Sequence, residues 1–331
     1  MIRNGRDPEA LAEAAQALAR GELVGVPTET VYGLGARADQ DEAVAKIFAA
    51  KGRPADHPLI VHVTDPAQAA LFADGELPAM ARQLMDAFWP GPLTVIVPRA
   101  PAMAAAAAGG QSSVGLRCPS HPVAHALLVE AHKLGVPGMA APSANRFGRV
   151  SPTHAEHVAE EFGPDLLVLD GGDCEVGIES TIVDCSRGRA VLLRPGMITP
   201  EQLEAVLGQP VQSPDAGAPR ASGTLEAHYA PRAVVRLFGD AAALSEQLGK
   251  QSGQGVAVYS RSPAVQTAGA SPLTRRMPQE PQAAAHELFA VLRELDAAGA
   301  EEIWIEAPPA GSAWDGVRDR LNRAAAAFVG H

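Results

Sequence analysis

Residues Asp41–Val63 read DEAVAKIFAAKGRPADHPLIVHV. The first eleven predict a helix that Gly52 closes, with Lys51 and Arg53 flanking the glycine and Pro54 stopping the run. Leu59–Val63 then predicts a strand that carries His62. Helix, glycine corner and strand together are the repeating element of an α/β fold. The same alternation extends in both directions. Upstream, Asp7-Pro8 is an N-cap followed by Pro at the first helical position, so EALAEAAQALAR predicts a helix up to Gly21. A strand over Glu22–Val26 follows, and Pro27–Ala38, PTETVYGLGARA, reads as a loop. Downstream, PAMARQLMDAFW, HPVAHALLVEAHKL and THAEHVAEEF predict helices, while LTVIV, SVGLRC, LLVLD, STIVD and AVLLR predict strands.

After a short helix, Pro200–Leu207, the stretch GQPVQSPDAGAPRASGTLEAHYAP is rich in Gly, Pro, Ser and Ala and lacks apolar periodicity, as an inter-domain linker does. Beyond it, strands AVVRLF, GVAVY and EEIWIEA alternate with helical AAALSEQLGK, QAAAHELFAVLRELDAAG and GVRDRLNRAAAAFV, a second and smaller α/β unit. Two domains suit a chain of 331 residues, and there is no internal repeat.

With 47% hydrophobic and 20% charged residues, the composition is that of a globular protein with ample core. Residues 1–200 hold 16 Lys and Arg against 23 Asp and Glu, and residues 201–331 hold 11 against 15, balances of −7 and −4. Acidity in both halves opposes a large nucleic-acid footprint and leaves a small anionic ligand open. Cys118, Cys174 and Cys185 form no C-x-x-C pair, which argues against a disulfide framework or a cysteine zinc site. The charged N-terminus lacks an apolar signal core, and the expected location is the cytoplasm.

Five short polar stretches, bounded by Gly or Pro at predicted strand ends, could carry chemistry. Lys51 and Arg53 suit either compensation of a helix C-terminus or an anion, for which Arg53 offers a planar fork. VPTETVYGLG, Val26–Gly35, joins hydroxyls and Glu29 to two glycines without being a Walker loop. SSVGLRCP places Arg117 at the end of an apolar strand, where burial needs an anion or a structural carboxylate. APSANRFGRVSPT offers Ser143, Asn145 and Ser151, which could surround phosphate oxygens, with Ser151-Pro152-Thr153 equally readable as a helix cap. GIESTIVD and LLRPG bring Ser180 and Arg194. Gathered at one sheet edge, these stretches would form an α/β ligand site. His121, His125 and His132 read as structural residues of one helix, and His154 and His157 lack a metal signature.

In this order, PTETVYGLG, KGRP with HPLIVH, SVGLRCP, PSAN, SPT, ESTIVD and LRPG resemble the YrdC-type threonylcarbamoyl-AMP synthase family. HYAP, His228–Pro231, and the small domain after it are similar to the longer, two-domain Sua-type branch. The resemblance implies a YrdC-like twisted sheet flanked by helices over 1–200, a linker or lid over 201–232, and a Rossmann-like α/β domain over 233–331. It implies a nucleotidyltransferase that makes threonylcarbamoyl-AMP and pyrophosphate from L-threonine, bicarbonate and ATP, for N6-threonylcarbamoyladenosine in tRNA. By the same resemblance Lys51, Arg53, Ser143 and Asn145 form the catalytic KxR…SxN tetrad. Thr30, His62, Arg117, Ser180 and the backbone of Ala141 would hold L-threonine; Arg53, His57, Ser113, Ser143, Ser151, Arg194 and Tyr229 would contact ATP.

Two departures accompany the match. His57 stands where the family often has asparagine, and ASGTLEAHYAP replaces an SPG-type linker start; Gly223, His228 and Tyr229 remain, so the linker is expected to bring Tyr229 over ATP. The residues alone also allow His62 to be a core histidine and Tyr229 a domain anchor. Mg²⁺ is expected on the ATP phosphates without a dedicated protein cage. The expected recipient of the product is a tRNA threonylcarbamoyltransferase complex, with no membrane and no strong direct nucleic-acid binding. An RNA-binding YrdC-fold protein and a carbamoyl-adenylate enzyme of the hydrogenase-maturation type are the alternatives. The acidic balance opposes the first, and the lack of zinc-finger cysteines opposes the second.

Overall fold

A computed structural model describes residues 1–250, 255–263, 265 and 273–328. They divide into a first unit, residues 1–147 and 151–224, and a second, residues 148–150 and 225–331. The first is built on a sheet of β1 (Ile2–Asn4), β2 (Val24–Val26), β3 (Gly33–Arg37), β4 (Ile60–His62), β5 (Leu93–Pro98), β6 (Ser113–Arg117), β7 (Met139–Ala140), β8 (Leu167–Asp170), β9 (Thr181–Asp184) and β10 (Val191–Arg194). Their order across the sheet is β1-β8-β2-β3-β7-β4-β6-β5-β9-β10, with parallel and antiparallel neighbours mixed.

The expected punctuation forms the helices. Asp7 caps α1 (Pro8–Ala19) by accepting from Glu9 N at 3.0 Å. Gly52 ends α2 (Asp41–Lys51) at φ 65°, a conformation that glycine adopts without a Cβ penalty, and Arg53 N then bonds back to Phe48 O at 3.0 Å. Two sequence readings are corrected. His121 is the cap of the helix Pro122–Lys133 rather than a residue within it, and its Nδ1 accepts from Val123 N at 3.2 Å. The stretch Pro27–Ala38 is not all loop, because Gly33–Arg37 is β3. Glycine is a poor strand former, and that conceals β3 in the sequence. Its glycines let β7 approach: a Cβ on Gly35 would stand 2.5 Å from Met139 Sδ, and one on Gly33 would stand 3.1 Å from Ala141 Cβ.

The main core packs Tyr32, Leu34, Ile47, Phe72, Leu84, Val95 and Leu116 together. A second cluster joins α1 to the helix Pro122–Lys133 through Ala14, Leu18, Leu127 and Leu128. A small third cluster, Ile96, Ile182, Val191 and Leu193, is covered by Ala218 and Ala221. Residues 218–222, read in the sequence as linker, thus lie on the first unit's sheet.

The second unit has a four-stranded parallel sheet, β11 (Val234–Phe238), β12 (Val256–Ser260), β13 (Thr274–Arg276) and β14 (Glu302–Glu306), ordered β11-β14-β12-β13. The three expected strands are joined by β13, which is only three residues long and half-exposed. Helices Ala241–Lys250, Pro281–Ala297 and Asp315–Ala326 accompany the sheet, and Leu244, Leu248, Val258 and Trp304 pack in its core.

Candidate active site

Directly opposed residues on neighbouring strands point to the same face. His62 of β4 is opposed to Arg117 of β6, and Thr94 of β5 and Arg194 of β10 are both opposed to Ile182 of β9. Thr94 follows in register just beyond the Val95–Leu116 pair, so His62, Arg117, Thr94 and Arg194 form a polar row across one sheet face. One step along, Ile60, Gly115 and Ile96 form a parallel apolar row. A cleft opens over these rows, lined by Ile60, Thr94, Ile96, Ser113, Gly115 and Ser222 among others. The site therefore spreads over the face of the sheet and is not gathered at an edge. The physical reason is the mixed pairing, since only parallel strands bring all their carboxyl ends to one side.

At one end of the polar row, Arg117 is held on three sides. Its Nη2 lies 2.7 Å from Glu29 Oε1, its Nη1 donates to Thr30 Oγ1 at 2.8 Å, and its Nε donates to Gly91 O at 3.4 Å. Thr30 in turn shares a 2.9 Å hydroxyl contact with Thr28. The Glu29 and Arg117 side chains are only 4% and 5% exposed, so either one alone would be a buried charge without a counter-ion. Burial pushes Glu29 up, but the Arg117 guanidinium, helped by backbone N–H groups of Glu29 and Ser120, outweighs it and leaves the carboxyl below its ordinary range. His62 beside it is buried. Burial first, then the Arg117 charge, depresses the imidazole to about 3, so it is neutral at physiological pH.

At the other end, Arg194 Nε and Nη2 donate to Ser180 O and Oγ at 3.0 and 3.1 Å, and Ser180 Oγ is 2.7 Å from Thr94 Oγ1. Arg194 Nη1 donates to Ser222 O at 2.9 Å, while Arg53 Nη2 reaches Ser222 Oγ at 3.4 Å and Pro58 O at 2.9 Å. Ser222 thereby links the two arginines. Arg53 also lies over the Phe147 ring at 5.8 Å, and His57 packs on the same ring at 5.4 Å. His57 is depressed by partial burial and by Arg53.

Lys51 is turned toward the PSAN loop. Its ammonium does not idle in solvent at a helix end: it is buried and donates to Ser143 O at 2.5 Å and to Asn145 O. Phe147 N returns a bond to Lys51 O at 2.9 Å, so the last turn of α2 shapes the PSAN loop. Burial, then Arg53 nearby, holds Lys51 well below the usual lysine range. Ala141 N bonds to Ile60 O at 3.0 Å, and Ser143 bridges Gly33, which ties the loop to β4 and β3. Ser151 is buried and donates to Glu179 Oε1 at 2.5 Å.

The chain matches the model of the Sua5/YciO/YrdC family, described as "Telomere recombination", over residues 16–196. A second model, "Threonylcarbamoyl-AMP synthase, C-terminal domain", matches residues 198–326. The chain belongs to this family. Among Sua5-family relatives, the threonylcarbamoyl-AMP synthase of Bacillus subtilis is 46% identical over 238 residues, 70% of this chain and 67% of the relative. That of Pyrococcus abyssi is 43% identical over 228 residues, 67% of this chain and 66% of the relative. The chain thus aligns with about two thirds of the length of these curated relatives. In structure the match is longer: the P. abyssi Sua5 crystal structure in complex with L-threonine superposes with TM-score 0.88 at 34% identity, covering 99% of this chain and 98% of that one.

The first unit of this Sua5-family chain carries thirteen of the fourteen candidate residues, and contacts or register link Thr30, Lys51, Arg53, His57, His62, Ser113, Arg117, Ala141, Ser143, Asn145, Ser180 and Arg194 to the two rows or the PSAN loop. Tyr229 belongs to the second unit. There it takes a left-handed φ of 62°, stacks on Phe289 at 5.3 Å and lies under the Arg320 guanidinium at 5.5 Å, as an anchor would. Sequence reasoning assigned no role to Glu29, Thr94, Glu179 or Ser222. Glu29 and Glu179 stand beside Thr30 and Ser180 in PTET and IEST, so adjacency to those two hydroxyl residues was the available signal.

Proposed function

We propose that this chain is a threonylcarbamoyl-AMP synthase that joins L-threonine, bicarbonate and ATP and releases pyrophosphate. One observation carries the reading: a single sheet face holds two differently charged ends, with the Thr94–Ser180 hydroxyl pair between them. The Arg117–Glu29–Thr30–His62 end suits the carboxylate, ammonium and hydroxyl of an amino acid. The Arg53–Arg194 end suits a polyphosphate, for which paired guanidiniums are fitted.

The chemistry needs no covalent enzyme nucleophile. The threonine amine attacks bicarbonate carbon and water leaves; the carbamate oxygen then attacks the α-phosphorus of ATP, and pyrophosphate departs. What the protein supplies is positioning and stabilisation of crowded negative charge. In this reading Lys51 sets the PSAN loop, Ser143 and Asn145 present its polar groups, and Arg53 and Arg194 hold the phosphates. His57, Ser113 and Ser151 line the nucleotide side. Ser180, hydrogen-bonded to both Arg194 and Thr94, stands between the two ends. Residues 218–222 cover the cleft as part of a lid.

Mg²⁺ enters on the ATP phosphates. The groups facing this end are guanidiniums, which pair with phosphate oxygens and leave the ion to the nucleotide itself. The product serves tRNA N6-threonylcarbamoyladenosine through a transferase complex in the cytoplasm. Among the described residues no helix is long and apolar enough to cross a membrane. The test is mass spectrometry of the reaction with ¹³C-bicarbonate. The reading expects an adenylate carrying threonine and one labelled carbon; an adenylate without the label, or none, contradicts it.

A further inference from the structure

A site that must accept an amino acid has to distinguish a zwitterion from the many small carboxylate anions around it. A lone buried guanidinium would favour the anions, since it seeks one negative charge and nothing more. Arg117 is not alone. Glu29 lies 2.7 Å from it, both side chains are almost fully buried, and the Thr30 hydroxyl takes a second guanidinium N–H. Opposite Arg117 in register, His62 adds no charge at neutral pH. The Thr30–His62–Arg117–Glu29 group is therefore electrically neutral, in contrast to the two arginines joined through Ser222. The Glu29 carboxylate is buried, with Arg117 Nη2 at 2.7 Å from its Oε1 and backbone N–H groups of Glu29 and Ser120 beside it. Its negative charge thus stands next to the cation that would take a substrate carboxylate.

Building on the proposed synthase activity, we infer that Glu29 is the specificity residue that makes the amino-acid end of the site select a zwitterion. It holds Arg117 in place and cancels its charge, so that a ligand's carboxylate is stabilised only when an ammonium accompanies it. A net anion entering the same place would leave one uncompensated negative charge in a region of low dielectric, which is strongly unfavourable. Glu29 is a positioning and selecting residue here, distinct from the groups that hold the reacting phosphate.

The test compares two ligands of one shape by titration calorimetry on the full chain. They are L-threonine and the 2,3-dihydroxybutanoate of matching stereochemistry, in which a hydroxyl replaces the ammonium. The wild type should bind L-threonine at least about tenfold more tightly than the hydroxy acid. Glu29→Gln, which keeps the shape but not the charge, should weaken L-threonine and strengthen the hydroxy acid, lowering the affinity ratio by about tenfold or more while ATP binding stays within about twofold. Glu29→Asp should restore part of the ratio. Equal weakening of both ligands in Glu29→Gln, or an unchanged ratio, would overturn the inference by leaving Glu29 a purely structural partner of Arg117. Should Glu29→Gln not fold, the wild-type comparison still decides, because equal binding of the two ligands refutes the selection. No binding of L-threonine by the wild type, with or without ATP, would refute the synthase reading itself, a different result from either.

Discussion

Lowering the pH should destabilise the first unit through His62, and replacing that residue by glutamine should remove the effect. The imidazole is 3% exposed and Arg117 faces it from β6, so protonation in the folded state is opposed by burial and by charge. Its folded value of about 3 lies below the ordinary 6.5. Between those values the unfolded chain binds a proton that the folded chain refuses, so stability is complete above 6.5 and falls as pH falls toward 3. Each pH unit in that window costs about 1.4 kcal/mol. From pH 7 to pH 4.5 the loss through this one group is therefore on the order of 2–3 kcal/mol. His57 and His121 are also depressed and act with the same sign, which is why the difference between two proteins is the informative quantity. Urea titrations at pH 7.0 and 4.5, read by amide hydrogen exchange in β4 and β6, report on this unit. His62→Gln should lose less than the wild type between the two conditions, by on the order of 2–3 kcal/mol. Equal losses would show that His62 titrates normally, and the neutral imidazole beside Arg117 would be wrong.

Three further perturbations address the site and the sheet. Arg53→Ala should leave thermal unfolding within a few degrees of wild type and lower kcat/KM by about a hundredfold or more, a loss of about 3 kcal/mol of transition-state stabilisation; retained activity would remove Arg53 from the chemistry. Gly115→Leu fills the gap in the apolar row, where even a Cβ would stand 3.3 Å from Thr94 and 3.7 Å from Ile60 and Ile96. The variant should fold and raise KM for ATP or L-threonine by at least about tenfold, and an unchanged KM would move the ligands elsewhere. Gly35→Ala forces a contact with the buried Met139 sulfur and should cost about 1–3 kcal/mol in urea unfolding, with no loss if β7 does not pack there.

The helices were the legible part of the fold, because Asp7-Pro8, Gly52 and Thr199-Pro200 mark their ends with capping chemistry that acts within a few residues. Strands with continuous apolar character, such as Leu93–Pro98, were equally plain. β3 was hidden because its glycines answer to Met139 and Ala141, more than a hundred residues away in the chain, and not to local propensity. β1 and β7, of three and two residues, are too short to show a period. The order of ten strands depends on crossovers that local patterns do not encode.

The site divides in the same way. His62 and Arg117 end two apolar runs, a placement that calls for a partner and so invites attention. Which partner answers is a tertiary matter: Glu29 pairs with Arg117 across 88 positions of sequence, and Ser222 reaches Arg53 across 169. The same holds for the arrangement over a sheet face. Alternation in HPLIVH and SVGLRC puts His62 with Ile60 and Arg117 with Gly115, but only the β4–β6 register brings the pairs side by side. Tyr229 is a motif residue whose ring contacts, Phe289 and Arg320, lie far along the chain and have no local signal.

The central claim is that one sheet face couples an amino acid and bicarbonate to ATP, and pyrophosphate release from the purified full chain tests it most directly. With ATP and Mg²⁺ present, L-threonine and bicarbonate are omitted in turn. The account predicts release only when both are supplied, and more with L-threonine than with L-serine. Release that ignores either one, or none with both present, would contradict it.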